Sequence, residues 1–325
     1  MDNNLPHTNK GAQQWRCVDW STEKANDRFI KGKNRYDPYI YDFALGTNGI
    51  YTPDEQLKID QTDKRPCVFR GLGKSPHIKA CIKHNIDYMY IDTGYFGNEI
   101  TKIYHRVAYN NLQTLHHLQN FQVQQRIKDA LKRTDARYWL EERFNEVHGV
   151  DINKWQPYEA KRGKTILIVP PSQKVFNHFG GSAENFTKEL IEEIKKHTDR
   201  PIELRPKVGR DERVKYTVQD QLKSGDYHCI VTYNSIASIE AITVGIPALV
   251  TGPNAGSFLS EKVLSQIDKP YYPNMKQLKD HVFFLTMCQL KSTEFRKAEA
   301  FKVIQALQGD VKPNNDLWRI KKGMM

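Results

Sequence analysis

Short apolar runs alternate along the chain with longer segments in which apolar residues recur at helical spacing. Runs of about four to seven apolar residues have the length of buried strands, and the segments between them are long enough for helices. The pattern predicts strands at 15–20, 39–45, 67–70, 88–91, 165–169, 201–204, 228–232 and 248–251. Strands that are apolar on both faces and are linked through helices are typical of an α/β fold with parallel sheets.

Five helical segments are predicted between and after these strands, in addition to a short helix within 228–252. Pro76 suits a first helical turn, Ser182 is a capping residue, and Gly309 is a stop signal near the end of the chain. The predicted helices cover 76–84, 112–147, the segment that follows Ser182, 275–290 and 293–307.

A domain boundary is predicted near 155–163, where Pro157 and Gly163 precede a new buried strand. We therefore expect two Rossmann-like domains facing a central cleft, formed by 1–160 and 161–274. The remaining residues, 275–325, are predicted to form helices, the last of which returns to the N-terminal domain.

The segment 228–252 predicts a binding site. It predicts a strand, a polar turn, a short helix that Gly245 ends, and a second strand. Asn234 or Ser235 can cap the helix, which leaves free backbone N–H groups and a partial positive charge aimed at an anion. Glu240 is the one carboxylate in this apolar helix, and burying it is costly without a partner. These features predict a nucleoside diphosphate, with phosphates at the helix end and ribose on Glu240.

Two motifs carry a resemblance to a known family. The pattern Asn234-Ser235, Glu240-Ala241 and Gly245-Ile246-Pro247 resembles the donor-binding signature of GT-B glycosyltransferases, especially the capsule-polysaccharide type. The N-terminal unit, with Gly71-x-Gly73 after one strand and Asp92-Thr93-Gly94 after the next, is similar to that type as well. Asp92-Thr93 stands where the family often has two acids, which affects the transfer of catalytic roles. Related nucleotide-sugar epimerases use a similar donor motif.

The resemblance implies a glycosyltransferase that takes a sugar from a nucleotide-sugar, with a UDP-sugar as the expected donor, and places it on an acceptor hydroxyl. Glycosyl transfer requires neutralisation of the leaving diphosphate and removal of the acceptor proton. Asp92 is the preferred base, and His77 and His105 are the alternatives. The donor-binding candidates are Arg205, Lys207, Thr232, Asn234, Ser235, Ser238, Glu240, Gly71, Gly73 and Ser172. The sequence contains no Asp-x-Asp dyad or zinc pattern at these positions, so no metal or other cofactor is expected to be required.

Charge bears on the acceptor. The chain has 49 Lys and Arg against 38 Asp and Glu, a net charge of +11. Most of the excess lies after residue 160, where a basic run extends over 195–215. A polyanionic acceptor would account for this charge, so hydroxymethylated bases in phage DNA are the preferred acceptor. The alternative is a capsule or lipopolysaccharide glycosyltransferase. Alternatives from other functional classes are a nucleotide-sugar 2-epimerase and an inactive nucleotide-binding protein.

The remaining sequence features concern the compartment. Five cysteines, an odd number without metal-binding spacing, favour a reducing cytoplasm, which would be the host cytoplasm for a phage-encoded protein. The N-terminus lacks the basic and apolar regions of a signal peptide. The uncharged stretch 241–260 is interrupted by Gly245, Pro247 and Pro253, so no transmembrane segment is expected. The sequence leaves the oligomeric state open.

Overall fold

The structure is a computed structural model of the 325-residue chain. It describes residues 14–33, 36–97, 103–114, 142–207 and 216–297, together with residues 304, 307 and 308. The described residues form a mixed α/β structure with two separate sheets, as the hydrophobic pattern predicts.

The first sheet has six strands in the order β10-β5-β4-β3-β1-β2. Strands β1 to β4 are parallel to one another, whereas β5 is antiparallel to both of its neighbours, β4 and β10. The strands are β1 Arg16–Val18, β2 Ile50–Thr52, β3 Cys67–Arg70, β4 Tyr88–Thr93, β5 Tyr104–Tyr109 and β10 Gln289–Lys291.

The second sheet has four strands in the order β7-β6-β8-β9, and all of them are parallel. Its strands are almost entirely buried in the centre because helices cover both faces, as parallel sheets require. The strands are β6 Thr165–Val169, β7 Ile202–Leu204, β8 Tyr227–Thr232 and β9 Ala248–Val250.

The helices connect these strands or follow them. Residues 142–148 are also helical, and short 3₁₀ turns occur at Asp54–Gln56, Leu72–Lys74, Leu264–Gln266 and Ser292–Glu294. Among the described helices, none combines the length and apolar character needed to cross a membrane. The helices are α1 Thr22–Ile30, α2 Pro38–Thr47, α3 Ser75–His84, α4 Gln173–Phe179, α5 Ala183–Lys195, α6 Val218–Ser224, α7 Ala237–Thr243 and α8 Met275–Met287.

The strand prediction for 39–45 is wrong, because this segment lies in helix α2. The Asp37 side chain accepts a hydrogen bond from the backbone N–H of Tyr39, and Pro38 occupies the first turn. Asn48, in the left-handed conformation, ends the helix. The apolar run therefore fits a helix whose inner face, Ile40, Phe43 and Ala44, packs on the first sheet.

The prediction of two C-terminal helices is corrected in its boundaries. Helix α8 ends at Met287, and the next residues form strand β10, which pairs with β5 of the first sheet. Residues 292–294 are a 3₁₀ turn, where the second helix was predicted to begin, whereas Ile304 and Leu307 within the predicted helix are helical. The side chain of Gln308 then bonds the backbone of Val107 and Tyr109 in β5. The chain thus returns to the first sheet before residue 309, whereas the tail 310–325 lies outside the described residues.

The two halves of the chain contact each other at the carboxyl ends of parallel strands, through Ser75, and beyond the end of strand β5, through Gln113. Ser75, at the start of α3, lies 2.6 Å from His178 of α4, oxygen to Nδ1. The Gln113 side chain donates to the backbone carbonyl of Asn234 at 3.0 Å. Leu72 and Phe179 each pack against a hydrophobic core of the first sheet and against a hydrophobic core of the second sheet. The domain boundaries at 160 and 274 stay a prediction.

Most of the predicted helix 112–147 lies outside the described residues. Within its described part, residues 112–114 are not helical, whereas residues 142–147 are helical.

Candidate functional site

The carboxyl ends of the parallel strands define two edges that carry the candidate residues. We call the residues that follow β1 to β4 the first carboxyl edge, and those that follow β6 to β9 the second carboxyl edge. Parallel strands end on the same side of a sheet, and α/β proteins place their ligands there. The second carboxyl edge includes Ser172, Arg205, Asn234 and Ser235, which the sequence predicted as donor-binding residues.

The loop after β8 is built around the start of helix α7. The Ser235 hydroxyl accepts a hydrogen bond from the backbone N–H of Ala237, so Ser235 satisfies one of the free N–H groups there. Helix α7 contains seven residues. Asn234 and Ser235 are half-buried, and the Asn234 carbonyl is held by Gln113 from the first half of the chain. This loop is therefore shared between the two sheets.

Two of the predicted donor-binding hydroxyls point into the protein. Ser238 is completely buried, and its hydroxyl lies 2.7 Å from Asn254 Oδ1 and 3.1 Å from the Ser235 carbonyl. Thr232 is also completely buried and donates to the carbonyl of Val169 at 3.1 Å. Because both hydroxyls already bond protein atoms, in this structure they support the loop from inside rather than face a ligand.

Glu240 lies on the outer side of α7. Its residue is half-buried, whereas Ser238, two positions earlier, is completely buried. The two side chains therefore leave the helix in different directions, as the helical rotation between them predicts. Glu240 and the N–H group that Ser235 caps thus belong to the same short helix, α7.

The end of α7 is held by the segment that joins the two halves of the chain. Tyr158 donates from its backbone N–H to Thr243, and Ala160 does so to Val244. Gly245 has a φ of +87°, and a Cβ there would lie 2.8 Å from the Tyr158 carbonyl oxygen. The joining segment therefore packs directly on the helix that carries Glu240, a contact that the sequence does not reveal.

Arg205 reaches away from the loop after β8. Its guanidinium donates to the Gln221 side chain and to the Tyr216 carbonyl. Lys207 is exposed beyond the end of β7. Arg205 is therefore already bonded within its own half, beside helix α6, and Lys207 is the more accessible cation of the two.

Most described members of the basic run 195–215 lie at the amino ends of the strands of the second sheet, opposite the second carboxyl edge. Helix α5 runs back from the carboxyl edge, so Lys195, Lys196 and Arg200 precede β7 at its amino end. Lys196 pairs with Glu193, and Arg200 pairs with Asp268. Residues 208–215 lie outside the described residues.

The first carboxyl edge contains the glycine turn that the sequence singled out. Gly71 has a φ of +74°, and a Cβ at Gly71 or Gly73 would meet no atom within 4 Å. The positive φ of Gly71 turns the chain from β3 into the 3₁₀ turn Leu72–Lys74. This turn leads directly to Ser75 and its contact with His178. Burial lowers the pKa of His178 to about 4, so a neutral imidazole makes this contact.

Asp92, the preferred base, is held by three donors. Arg106 pairs with it at 3.1 Å, and it also accepts from the Tyr90 hydroxyl and from the backbone N–H of Thr93. Burial alone would raise the pKa of Asp92, but Arg106 and the two other donors lower it overall. A carboxylate with a lowered pKa is a weak proton acceptor, which disfavours Asp92 as the base.

The two alternative bases differ in their access to solvent. His105 is buried, and its ring lies 3.9 Å from the ring of Tyr39, centroid to centroid. His77 is half-buried, and its Nε2 lies 2.8 Å from Asp54 Oδ1. His77 is therefore the more accessible imidazole of the two.

The structure adds charged residues that sequence reasoning missed. Asp19 follows β1 and is buried beside Asp37, which pairs with Arg70. Burial, together with the Asp37 carboxylate, raises the pKa of Asp19 to about 6. Lys74 pairs with Asp54 and donates to the backbone carbonyl of Asp19. The position of Asp19 at the end of an apolar run was an available signal, but the predicted strand 15–20 included it.

In the part of the chain that the structure describes, no group of three or more His, Cys, Asp or Glu side chains could hold a metal ion. All five cysteines are buried and free.

Known proteins offer only distant likenesses. No family model matches the chain, and no curated protein matches it. Two of the solved structures to which the chain is similar are the KpsC β-Kdo 2,4 transferase and the KpsC β-Kdo 2,7 transferase of Thermosulfurimonas dismutans. The first is 12% identical to this chain, with a TM-score of 0.42. The match covers 91% of this chain and 98% of the transferase chain. The second is 12% identical with a TM-score of 0.37, and it covers 90% of this chain and 99% of its own. Because both TM-scores are low, the likeness assigns neither a family nor an activity to this chain.

Proposed function

We propose that this protein is a glycosyltransferase that moves a sugar from a nucleotide-sugar to an acceptor hydroxyl. One observation carries the proposal: the carboxyl edges of the two sheets contact each other through Ser75, at the start of α3, and His178 of α4. Each edge is the ligand-binding side of an α/β sheet. Two such edges in contact allow a donor on one sheet to meet an acceptor on the other.

The second carboxyl edge is the proposed donor site. The half-buried residues Ser172, Asn234, Ser235 and Glu240 line the ends of β6 and β8, and Lys207 supplies an exposed cation. Glu240 is assigned to the ribose hydroxyls, and the loop at Asn234 and Ser235 to the phosphate. Thr232 and Ser238 then act by holding this loop in place.

The first carboxyl edge is the proposed acceptor site, and its charges favour a saccharide over DNA. Three of the four carboxylates there are paired with cations, so these described residues leave no excess of positive charge to attract a phosphodiester backbone. Carboxylates and cations together suit an acceptor rich in hydroxyl groups. The carboxylates are Asp19, Asp37, Asp54 and Asp92, and the cations are Arg70, Lys74 and Arg106.

The basic run does not restore the preference for DNA. Three of its five described members, Lys195, Lys196 and Arg200, lie at the amino end of β7, on the opposite side of the second sheet from the proposed site, whereas Arg205 and Lys207 belong to the donor side. A DNA strand held there would not bring its bases to the first carboxyl edge. We therefore propose a capsule or lipopolysaccharide saccharide as the acceptor class.

The test is a panel of sugar nucleotides incubated with the protein, with release of free nucleotide as the readout. UDP-, GDP- and CMP-linked sugars are each combined with capsule or lipopolysaccharide oligosaccharides, with hydroxymethylated DNA, or with no acceptor. Parallel reactions contain Mg²⁺ or EDTA. We expect nucleotide release that depends on an oligosaccharide. A changed sugar without nucleotide release would indicate an epimerase, and binding without turnover would indicate an inactive protein; either result refutes the transferase.

A variant tests the donor site separately. Glu240→Ala should weaken donor binding in calorimetry by about 1.5–3 kcal/mol, or roughly ten- to a hundredfold in Kd, because a charged hydrogen bond is lost. Glu189→Ala, an exposed carboxylate on α5, is the matched control and should bind donor like the wild type. Unchanged affinity in Glu240→Ala would refute the ribose assignment.

A further inference from the structure

We propose that His77 is the general base that deprotonates the acceptor, and that Asp54 is its positioning residue. This inference rests on the proposed glycosyl transfer. His77 lies in the first turn of α3, and Asp54 lies in the 3₁₀ turn that follows β2. The two residues are 23 positions apart in sequence and meet at the first carboxyl edge.

The contact with Asp54 selects the tautomer of the neutral imidazole. His77 Nε2 lies 2.8 Å from Asp54 Oδ1, and Lys74 Nζ lies 2.9 Å from the same oxygen. Because an ionised carboxylate only accepts hydrogen bonds, this contact places the imidazole proton on Nε2. The neutral ring then presents the lone pair of Nδ1, which is the form that a general base requires.

Packing holds the ring in one orientation. The His77 ring is stacked on the Phe69 ring, with centroids 6.2 Å apart and planes 6° from parallel. Lys74 is nearly buried, and it ties Asp54 to the backbone carbonyl of Asp19 at the end of β1. Asp54 is thus held by a group outside the pair, so it can hold His77 in turn.

Access to an acceptor distinguishes His77 from the two buried candidates. The His77 side chain is 24% exposed, whereas His105 is 3% exposed and Asp19 is 2% exposed. The Asp92 side chain is 38% exposed, but its oxygens already accept from Arg106, Tyr90 and Thr93. His77 combines an oriented nitrogen with an open surface, which neither buried group does.

The position of His77 also suits transfer between the two edges. Ser75, two residues earlier in the same turn, contacts His178 of the second half of the chain. A base in this turn lies beside the place where the donor half and the acceptor half meet. An acceptor bound at the first carboxyl edge can therefore present its hydroxyl to the donor.

The proposed step balances in atoms and charge. The acceptor O–H bond breaks and its proton moves to His77 Nδ1, while the acceptor oxygen forms a bond to the anomeric carbon. The bond from that carbon to the phosphate oxygen breaks, and its electron pair leaves with the nucleotide. Asp54 stabilises the imidazolium, which later releases its proton to water.

The first measurement is of the protein alone. Nitrogen-15 NMR of the histidine ring should find the neutral His77 imidazole protonated at Nε2 in the wild type. In Asp54→Asn this preference should weaken, because the carboxylate that selects it is gone. A neutral ring protonated at Nδ1 in the wild type would overturn the proposal, whether or not the protein is a transferase.

The second measurement uses the donor and acceptor pair that the sugar-nucleotide panel identifies. His77→Ala and His77→Gln should each lower kcat by roughly 10²–10⁴ while donor affinity stays unchanged. Added imidazole should restore part of the activity of His77→Ala. His84→Ala, at the other end of α3, is the matched control and should keep full activity. Full activity in His77→Gln, or a loss that comes with weakened donor binding and no rescue, would overturn the proposal. A wild type that releases no nucleotide with any pair would instead refute the transferase itself.

Discussion

The contact between Gly245 and the joining segment gives a prediction whose size follows from the geometry. In Gly245→Ala the new methyl group would lie 2.8 Å from the Tyr158 carbonyl oxygen and 3.1 Å from the Ala160 nitrogen. Both are backbone atoms of a segment that is hydrogen-bonded to the last turn of α7. The segment must move, because no flexible side chain is available to give way.

Two costs combine in this variant. A residue with a side chain pays about 1–2 kcal/mol at the positive φ of +87°. Forcing a methyl group into a filled space adds about 1–3 kcal/mol. We therefore expect a loss of roughly 2–5 kcal/mol in the free energy of unfolding.

The chain offers a matched control for the first cost. Gly149, which directly follows the helix 142–148, has a φ of +67°, and a Cβ there would meet no atom within 4 Å. Gly149→Ala should therefore lose only about 1–2 kcal/mol. The effect of either substitution on the unfolded chain is the same and cancels in the comparison.

The assay is urea unfolding of both variants and the wild type, followed by tryptophan fluorescence, with Trp155 packed in the core beside α7. Donor binding is measured at the same time, since displacement of the 158–160 segment disturbs the helix that carries Glu240. Equal losses in the two variants, or a larger loss in Gly149→Ala, would refute the close-approach argument.

Two further predictions concern stability. Asp19 has its pKa raised to about 6, above the roughly 3.9 of an unfolded chain, so its stabilisation is present at low pH and is lost as the pH rises through about 6. Asp19→Asn should flatten this part of the stability curve between about pH 4 and 6, as measured by thermal unfolding, and an unchanged curve would contradict the shift. The Gln308 side chain bonds the backbone of Val107 and Tyr109, so Gln308→Ala should cost about 1–3 kcal/mol by leaving buried groups unsatisfied. A variant as stable as the wild type in urea would show that these bonds contribute little.

The sequence determined the elements whose signal is local. The runs 67–70, 88–91, 165–169 and 228–232 are strands because each is apolar enough to be buried on both faces. Ser182 caps α5 as predicted, since capping requires only a side chain three residues before a backbone N–H. These local rules were sufficient to predict an α/β fold with parallel sheets.

The tertiary structure decided which apolar runs became helices and which polar runs became buried strands. The run 39–45 is compatible with either element, and the packing of Ile40, Phe43 and Ala44 on the first sheet favours the helix. Strand β5 contains His105 and Arg106, so its sequence does not indicate burial. Its pairing with β4 and β10, and the ion pair of Arg106 with Asp92, make burial possible.

The same division holds for the candidate site. The sequence identified the polar residues that follow the strands, because strand ends can be located from the apolar pattern. It could not decide that Ser238 faces inward while Glu240 stays half-exposed, since that depends on which neighbour fills each side of α7. It also could not pair His77 with Asp54, because residues far apart in sequence meet only where the fold brings the first turn of α3 to the 3₁₀ turn Asp54–Gln56.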